Sequence, residues 1–568
     1  MTAEASQSTV NNHKLIWLIA WLIALTSRML FPLADPPADL SWSGGYYADE
    51  GFWVHNARNE ILFGSDQPDD WNNKLVSPSL HYSTKLLFKC LGISLMTVRI
   101  QAMLMAVVTL FFFSRISRRI DPSGLLFLMF AVNSFLVAYQ RTAVLESAAL
   151  PIAVLAMWLW LKGQESKSDA QRYIYDFLTG IAAAWVWQIK LTQLTFIPLV
   201  MLATWLSDPN RKRAVMTILR QTAGAGAVAL VWLLFIRIPN SEMLGQYNRF
   251  YLSQHGSTPA DLIKNLLMQP LGIYVNRLPV MFPTALLMTG LLMVRRRFRL
   301  LTPAIVFSWI WFVLGCVSLA PLGYRPLRYY LPVLIPMTVL SHRFLTNRDI
   351  SSSLQKLKPF SRIFVLLLTV LPPAVNIAIL LDKYVFNGTK IGLTAVEGFS
   401  VIGAVSLLIW TAVWGFIVFF PARMTRRLAL QALVFCLAFQ AIIVGFRLIN
   451  RTYDLLNTSR DLARILPEKS VLAGQWAPEL VLETPFRAIP LWKNFVNWED
   501  PFTRYGVTHL LCWRYPLGNE CSHQEEWFPE ICRQAELIGT YSIKKSDVLI
   551  KRVVKPVSID SESERNEQ

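Results

Sequence analysis

The chain has 568 residues, 54% of them hydrophobic and 16% charged, with a mean hydropathy of +0.38. A soluble globular protein carries nearer a quarter charged residues, so that class is excluded and a polytopic membrane protein is indicated. The formal net charge of +18 points first to nucleic acid. Here, however, the Lys and Arg fall between hydrophobic runs, so membrane topology accounts for them and no nucleic-acid partner is expected. Six cysteines in so long a chain make no disulfide framework.

The first apolar run, 15–33, is too long for a signal h-region and lacks a small-residue cleavage site, so it reads as a first transmembrane helix. Apolar stretches of about 20 residues predict membrane spans. They fall near 15–34, 96–114, 122–138, 147–161, 173–189, 193–207, 214–236, 280–294, 301–320, 331–345, 363–381, 398–420 and 428–446, about 13 helices. The pair around Lys190 reads either as two helices or as one long or broken helix.

Alternate loops carry the positive charge: Arg115, Arg118 and Arg119; Lys162 and Lys167; Arg211, Lys212 and Arg213; Arg295, Arg296, Arg297 and Arg299; Arg343 to Arg362; and Arg423, Arg426 and Arg427. By the positive-inside rule that side is cytoplasmic. An odd helix count then places the N-terminus in the cytoplasm and the C-terminus outside, across a bacterial inner membrane. The transmembrane module covers 1–446, with long outer loops at 35–95 and 237–279. In the first loop Phe52, Trp53, Ala57, Ile61 and Leu62 recur at helical spacing, as do Leu80, Leu86, Leu87 and Leu91. Both segments suit helices lying along the membrane surface. The second loop, with Tyr247, Phe250, Tyr251, Leu262, Leu266 and Leu267, suits a cover over a site opening outward.

After residue 447 the spans stop. Asn457 to Leu466 reads as a helix, and 470–473, 507–511 and 547–551 read as strands. A small extracytoplasmic α/β domain over 447–557 is expected, followed by a polar, disordered tail at 558–568. In an oxidising compartment two of Cys512, Cys521 and Cys532 are expected to pair. Cys521–Cys532 is the expected bridge, although spacing alone fixes no connectivity.

No P-loop, no Gly-x-Ser-x-Gly elbow and no zinc-spaced Cys/His cluster occurs. His55, His81 and His255 lie in outer loops without ligand spacing, so no metal site is expected. What remains is an outward-facing set of acids and bases. Asp49 and Glu50 stand in Tyr46-Tyr47-Ala48-Asp49-Glu50-Gly51-Phe52-Trp53, Arg141 precedes Glu146 in the next outer loop, and Arg325 and Arg328 precede Tyr329-Tyr330-Leu331-Pro332. A carboxylate can take a proton from a hydroxyl as general base. Arginines can neutralise a departing phosphate, and an apolar groove between helices can hold a lipid tail. Nucleotide sugars and ATP are scarce outside the cytoplasm, so a lipid-linked donor is the economical source.

At this point the order and sidedness of the motifs resemble the glycosyltransferase-C superfamily. The likeness is to the bacterial branch related to protein O-mannosyltransferases and the lipid A aminoarabinose transferase. It is carried by Asp49-Glu50 after the first helix, Ser77-Pro78-Ser79-Leu80, Gly92-Ile93-Ser94 with Arg99, Arg141 to Glu146, and Arg328-Tyr329-Tyr330-Leu331-Pro332. Ser77 departs from the pattern, standing where the aminoarabinose transferases have a Lys that meets the donor phosphate. The resemblance implies a glycosyltransferase that takes a sugar from a polyprenyl phosphate, usually with inversion and without a cofactor. Asp49 would be the base and Glu146 a second acid, with Glu50 beside them. Arg328, with Arg325 and Arg141, would meet the lipid phosphate, while Tyr46, Tyr47, His55 and His81 would make acceptor or loop contacts. For Arg141 a salt bridge to Glu146 is the competing expectation. Membrane lipid, the lipid-linked sugar and a protein, lipid or glycan acceptor are the expected partners. Two other functions compete. One is a transporter or flippase of a lipid-linked sugar, for which Lys190 is the supporting residue. The other is a non-catalytic subunit of an envelope glycan assembly complex.

Overall fold

A computed structural model describes residues 2–37, 40, 49–65, 69–253, 258–267, 276–295, 301–322, 326–347, 350–381, 395–515, 518–544 and 546–554. Tyr46, Tyr47, His255, Arg296, Arg297, Arg299, Arg325 and the tail 558–568 lie outside the described residues. The chain divides into two compact units, one of Met1–Pro32, Lys74–Leu80 and Val98–Arg451, the other of Leu33–Asn73, His81–Thr97 and Thr452–Gln568.

The first unit is helical. Helices fall on the expected spans, beginning with Thr2–Met29 and ending with Arg426–Ile449, while Ser241–Ser253, Pro259–Leu267 and Ile350–Gln355 lie between spans. Two spans are interrupted. The segment expected as one helix over 122–138 is two, Leu125–Ala131 and Ser134–Tyr139. Asn133 explains the break, because its side chain accepts hydrogen bonds from the amides of Phe135 and Leu136 and caps a new helix start. At Lys190 the Asp169–Ile189 helix stops in extended backbone, a 3-10 turn follows over Leu191–Gln193, and a new helix runs over Phe196–Ser207. Six helical segments among the described residues are long and apolar enough to cross a membrane: Leu95–Ile120, Leu145–Glu165, Arg211–Arg237, Pro359–Ala378, Val401–Phe419 and Arg426–Ile449.

Apolar faces gain little from leaving lipid for protein, so helices in a bilayer cohere through close packing and buried polar contacts. Both devices occur here. Gly180 and Gly224 let the Asp169–Ile189 and Arg211–Trp232 helices approach so closely that a Cβ on either would lie about 2 Å from the opposite backbone, 2.0 Å from Gln221 O and 2.1 Å from Phe177 O respectively. The Trp160 indole donates to Thr204 Oγ1 at 2.9 Å.

The second unit holds a sheet. Its strands are β1 (Val471–Ala473), β2 (Arg487–Ile489), β3 (His509–Tyr515), β4 (Gly518–Asn519), β5 (Glu536–Ile543) and β6 (Ser546–Arg552). Their order is β2-β1-β3-β6-β5, with β4 on the end of β3. β1 runs parallel to both β2 and β3, while β6 pairs antiparallel with β3 and β5. Sequence patterning found β1, β3 and β6. It missed β5, an edge strand with mixed exposure, the three-residue β2 and the two-residue β4. Ala473, Ile489, Leu491, Val507 and Leu510 form a buried cluster of this domain. The disulfide is Cys512–Cys521, not the expected Cys521–Cys532. β4 pairs antiparallel with β3, and the helix Glu520–Trp527 that follows it packs on β3, placing Cys521 beside Cys512. Cys532 remains a thiol whose Sγ donates to Gln524 O at 3.4 Å.

The helix Asp49–Phe63 also belongs to this unit and departs from expectation. It does not present one apolar face with its polar residues in water, because Glu50 through Asn59 are all buried. Its polar side chains are bonded inside the unit instead. The other expected surface helix, Pro78–Leu91, does expose apolar residues, with Leu86 63% and Leu91 54% accessible.

Candidate active site

In the helical unit, Glu146 sits in the first turn of Leu145–Glu165, where the helix N-terminus favours a carboxylate. The turn before it is set by two hydroxyls, as Thr142 Oγ1 and Ser147 Oγ both donate to Tyr139 O. Glu146 is 1% exposed. A buried carboxylate stays charged only when paired. Two cations meet it, with Lys190 Nζ 3.0 Å and Arg328 Nε 3.6 Å from the same oxygen, Oε1. These contacts are ionic: neither carboxylate oxygen has an aligned hydrogen bond. Lys190 Nζ also lies 4.3 Å from the centre of the Tyr329 ring, and the Arg328 guanidinium lies 5.6 Å from it. Cations above a tyrosine face are stabilised by its quadrupole. The broken helix places Lys190 here, and the 3-10 turn Leu327–Tyr330 places Arg328 and Tyr329.

Arg141 has a different setting. Its Nη1 and Nη2 donate to Ser27 O and Phe31 O, at 3.4 and 2.7 Å. Arg28 is buried beside it, donating to Ala24 O, Ala131 O and the Gln140 side chain. Arg99 adds a long contact from Nη1 to Pro32 O at 3.4 Å. Arg141 and Arg99 thus satisfy carbonyls at the end of the first helix and just past it, where a helix terminus leaves such groups without partners. The ion pair that Arg141 was expected to make with Glu146 is taken by Lys190 and Arg328.

In the second unit, Asp49 and Glu50 open the helix Asp49–Phe63, Glu50 fully buried and Asp49 partly accessible. His55 Nε2 lies 2.7 Å from Asp69 Oδ2 and 3.0 Å from Asn59 Nδ2, all three buried. His81 Nε2 lies 3.2 Å from Glu60 Oε2, and Lys85 pairs with the other oxygen of Glu60. Burial raises the Glu60 carboxyl, but hydrogen bonds from Lys85 and His81 outweigh it and hold the group below the usual range. Both histidines therefore hold the first loop's own structure together. Tyr46, Tyr47 and Arg325 lie outside the described residues. Among the described residues no three His, Cys, Asp or Glu side chains are grouped to hold a metal ion.

Lys190 is the residue that sequence reasoning set aside as a sign of transport. Its signal was present as a basic residue interrupting an apolar run. What spacing does not reveal is that the interruption turns the side chain onto Glu146.

No protein-family model matches the chain, and no curated protein matches it. Solved structures do resemble it. ArnT from Cupriavidus metallidurans bound to undecaprenyl phosphate aligns with a TM-score of 0.55 and 13% identity, over 94% of this chain and 97% of that one. ArnT from the same organism in the apo state gives 0.54 and 14%, over 96% and 98%. The archaeal oligosaccharyltransferase AglB from Archaeoglobus fulgidus gives 0.49 and 13%, over 88% and 69%. At such identities the likeness is one of fold. The chain is a membrane-embedded protein with the fold that ArnT has.

Proposed function

We propose that this protein is a membrane glycosyltransferase that moves a hexose or pentose from a polyprenyl phosphate to an acceptor hydroxyl outside the cytoplasm. The observation that carries this reading is the Glu146–Lys190–Arg328 cluster within a chain that shares the ArnT fold almost end to end. Undecaprenyl phosphate is bound in the ArnT structure, and a buried lysine beside a part-buried arginine suits the phosphate of such a lipid. Lys190 supplies the positive charge that Ser77 lacks. The segment carrying Ser77 reaches the same helix, since the Trp185 indole donates to Ser79 Oγ at 2.7 Å.

In the proposed reaction the acceptor oxygen attacks the anomeric carbon and its proton passes to Asp49. The bond from that carbon to the phosphate oxygen breaks on the opposite face, so configuration inverts. Polyprenyl phosphate departs with its bonding electrons, and Lys190 and Arg328 meet the charge that develops. Glu146 holds those two cations in place. The sheet domain lies outside the cytoplasm in this reading, and its disulfide suits an oxidising compartment.

The test is transfer from purified polyprenyl-phosphate sugar in nanodiscs. A general base contributes about 10²- to 10⁴-fold, so Asp49→Asn is expected to lose turnover by that order while donor binding persists. Arg328→Ala is expected to weaken donor binding as well, because the phosphate is charged before the reaction begins. Wild-type transfer by folded Asp49→Asn removes Asp49 from the chemistry and leaves Glu146 as the candidate base.

A further inference from the structure

The helix that begins with Asp49 is held from the far end of the sequence. Its Gly51 amide donates to the Glu479 carboxylate, which is buried in the sheet domain. Amides in a first helical turn lack partners within their own helix, and a nearby side chain commonly supplies one. Here the acceptor comes from 428 residues away. The contact tolerates no side chain at position 51. A Cβ there would lie 2.4 Å from Glu479 Cα and 2.6 Å from Pro478 O.

Farther along the same helix Arg58, 1% exposed, makes a second attachment. Its Nη2 donates to Val481 O, Thr484 O and Phe486 O at 2.9, 2.6 and 2.8 Å, and its Nε to Leu482 O at 3.1 Å. These four carbonyls belong to the loop between Ala477–Leu480 and β2. A planar guanidinium can serve so many acceptors at fixed angles, which a lysine ammonium cannot. Asn56 and Asn73 fix the opposite side of the helix, Asn56 donating to Trp71 O and Asn73 donating to Phe52 O. Asn497 of the sheet domain accepts from the Asp70 amide at 2.7 Å, so that side too is tied to the domain.

We propose that Glu479 and Arg58 are positioning residues through which the C-terminal sheet domain sets the place of Asp49, which rests on Asp49 being the base. Gly51 follows Asp49 by two residues, so the Glu479 contact fixes the helix turn that carries the acid. Arg58 fixes the helix axis beyond it. The sheet domain is then part of the catalytic apparatus, although it touches no reacting atom. Small displacements of a catalytic group are costly, about 10²-fold for roughly 1 Å.

The test uses the full-length protein in nanodiscs, with kcat and donor KM measured for each variant. Glu479→Ala removes the acceptor and is expected to lower kcat roughly 10- to 100-fold while donor KM stays unchanged. Glu479→Gln keeps a carbonyl oxygen for the Gly51 amide and is expected to restore kcat to near wild type. Arg58→Lys keeps the charge but loses the fork, and is expected to resemble Glu479→Ala. Hydrogen exchange across 49–63, with an intact Cys512–Cys521 bridge, separates a loosened helix from an unfolded domain: exchange is expected to quicken in the helix while the sheet stays protected. Wild-type kcat in folded Glu479→Ala overturns the inference, as does a loss that Glu479→Gln fails to repair, or a rise in donor KM that accounts for the whole effect. Asp49→Asn in the same assay keeps the two ideas apart. An active Asp49→Asn defeats the assignment of the base, whereas an inactive one beside a wild-type Glu479→Ala defeats positioning alone.

Discussion

Two cations on one oxygen of Glu146 make that carboxylate the member of the cluster least able to be lost. Removing one partner of a buried ion pair costs about 3–5 kcal/mol, because the remaining charge is left uncompensated. Glu146→Gln is therefore expected to lower thermal stability in detergent, and Lys190→Met to lower it less, since Arg328 remains as a counterion. Binding separates their roles further. If the proposed function holds, Lys190→Met weakens affinity for a polyprenyl phosphate about tenfold or more, by losing a charge-assisted contact. Calorimetric titration of the lipid measures this, and unchanged affinity would remove Lys190 from the phosphate site. Glu520 gives a residue-scale effect in the sheet domain. Burial pushes its carboxyl up to about 8, although the Gln475 amide and the Gln524 side chain donate to it. The folded domain thus keeps a proton that the unfolded chain releases above its ordinary value of 4.5. Stability is fully present below that value and falls as pH rises to about 8. Glu520→Gln is expected to flatten this slope and to be the more stable form at pH 8. Hydrogen exchange of the sheet against pH reads it out, and a wild-type profile without slope would defeat it.

Among the elements, β3 and the helix Glu520–Trp527 are joined by the Cys512–Cys521 bridge. Peptide mapping under non-reducing conditions is expected to find that pair linked and Cys532 open to alkylation. A linked Cys532 would mean a different packing of this helix pair. A short closed loop of this kind contributes about 2–3 kcal/mol by its effect on the unfolded chain, so Cys512→Ser with Cys521→Ser is expected to lower domain stability by that order. The break at Lys190 is an element-scale device of another kind. A continuous helix would leave the direction of Lys190 to its turn in the helix. The extended residue and 3-10 turn instead set it at the junction of two helices, where it reaches Glu146.

For the molecule as a whole, the proposed topology follows from the positive-inside rule applied to six basic loops at alternate places along the chain. A periplasm-active reporter fused after residue 446 is expected to show activity, and a cytoplasm-active reporter at the same point none. The opposite pattern would mean that the number of crossings before the sheet domain is even. The disulfide of that domain argues the same way, since thiols in the cytoplasm are kept reduced.

The sequence by itself determined where most of the apolar helices run, because hydropathy over about 20 residues is a local property, and the order of its motifs indicated the fold. It also marked Asp49 and Glu50 in the first outer loop, Glu146 in the second, and Arg328 before Leu331–Pro332. Only the tertiary structure decided which charges meet. Lys190, Arg328 and Glu146 lie on three separate elements, and their pairing depends on how helices pack through space. The same holds for Gly51 with Glu479, and for Arg58 with the four carbonyls of a distant loop. The spacing of Phe52, Trp53 and Ala57 showed a helix but placed it on a membrane surface. Its buried asparagines, histidine and arginine find their partners in parts of the chain that only folding brings near, and an amphipathic pattern holds no trace of them.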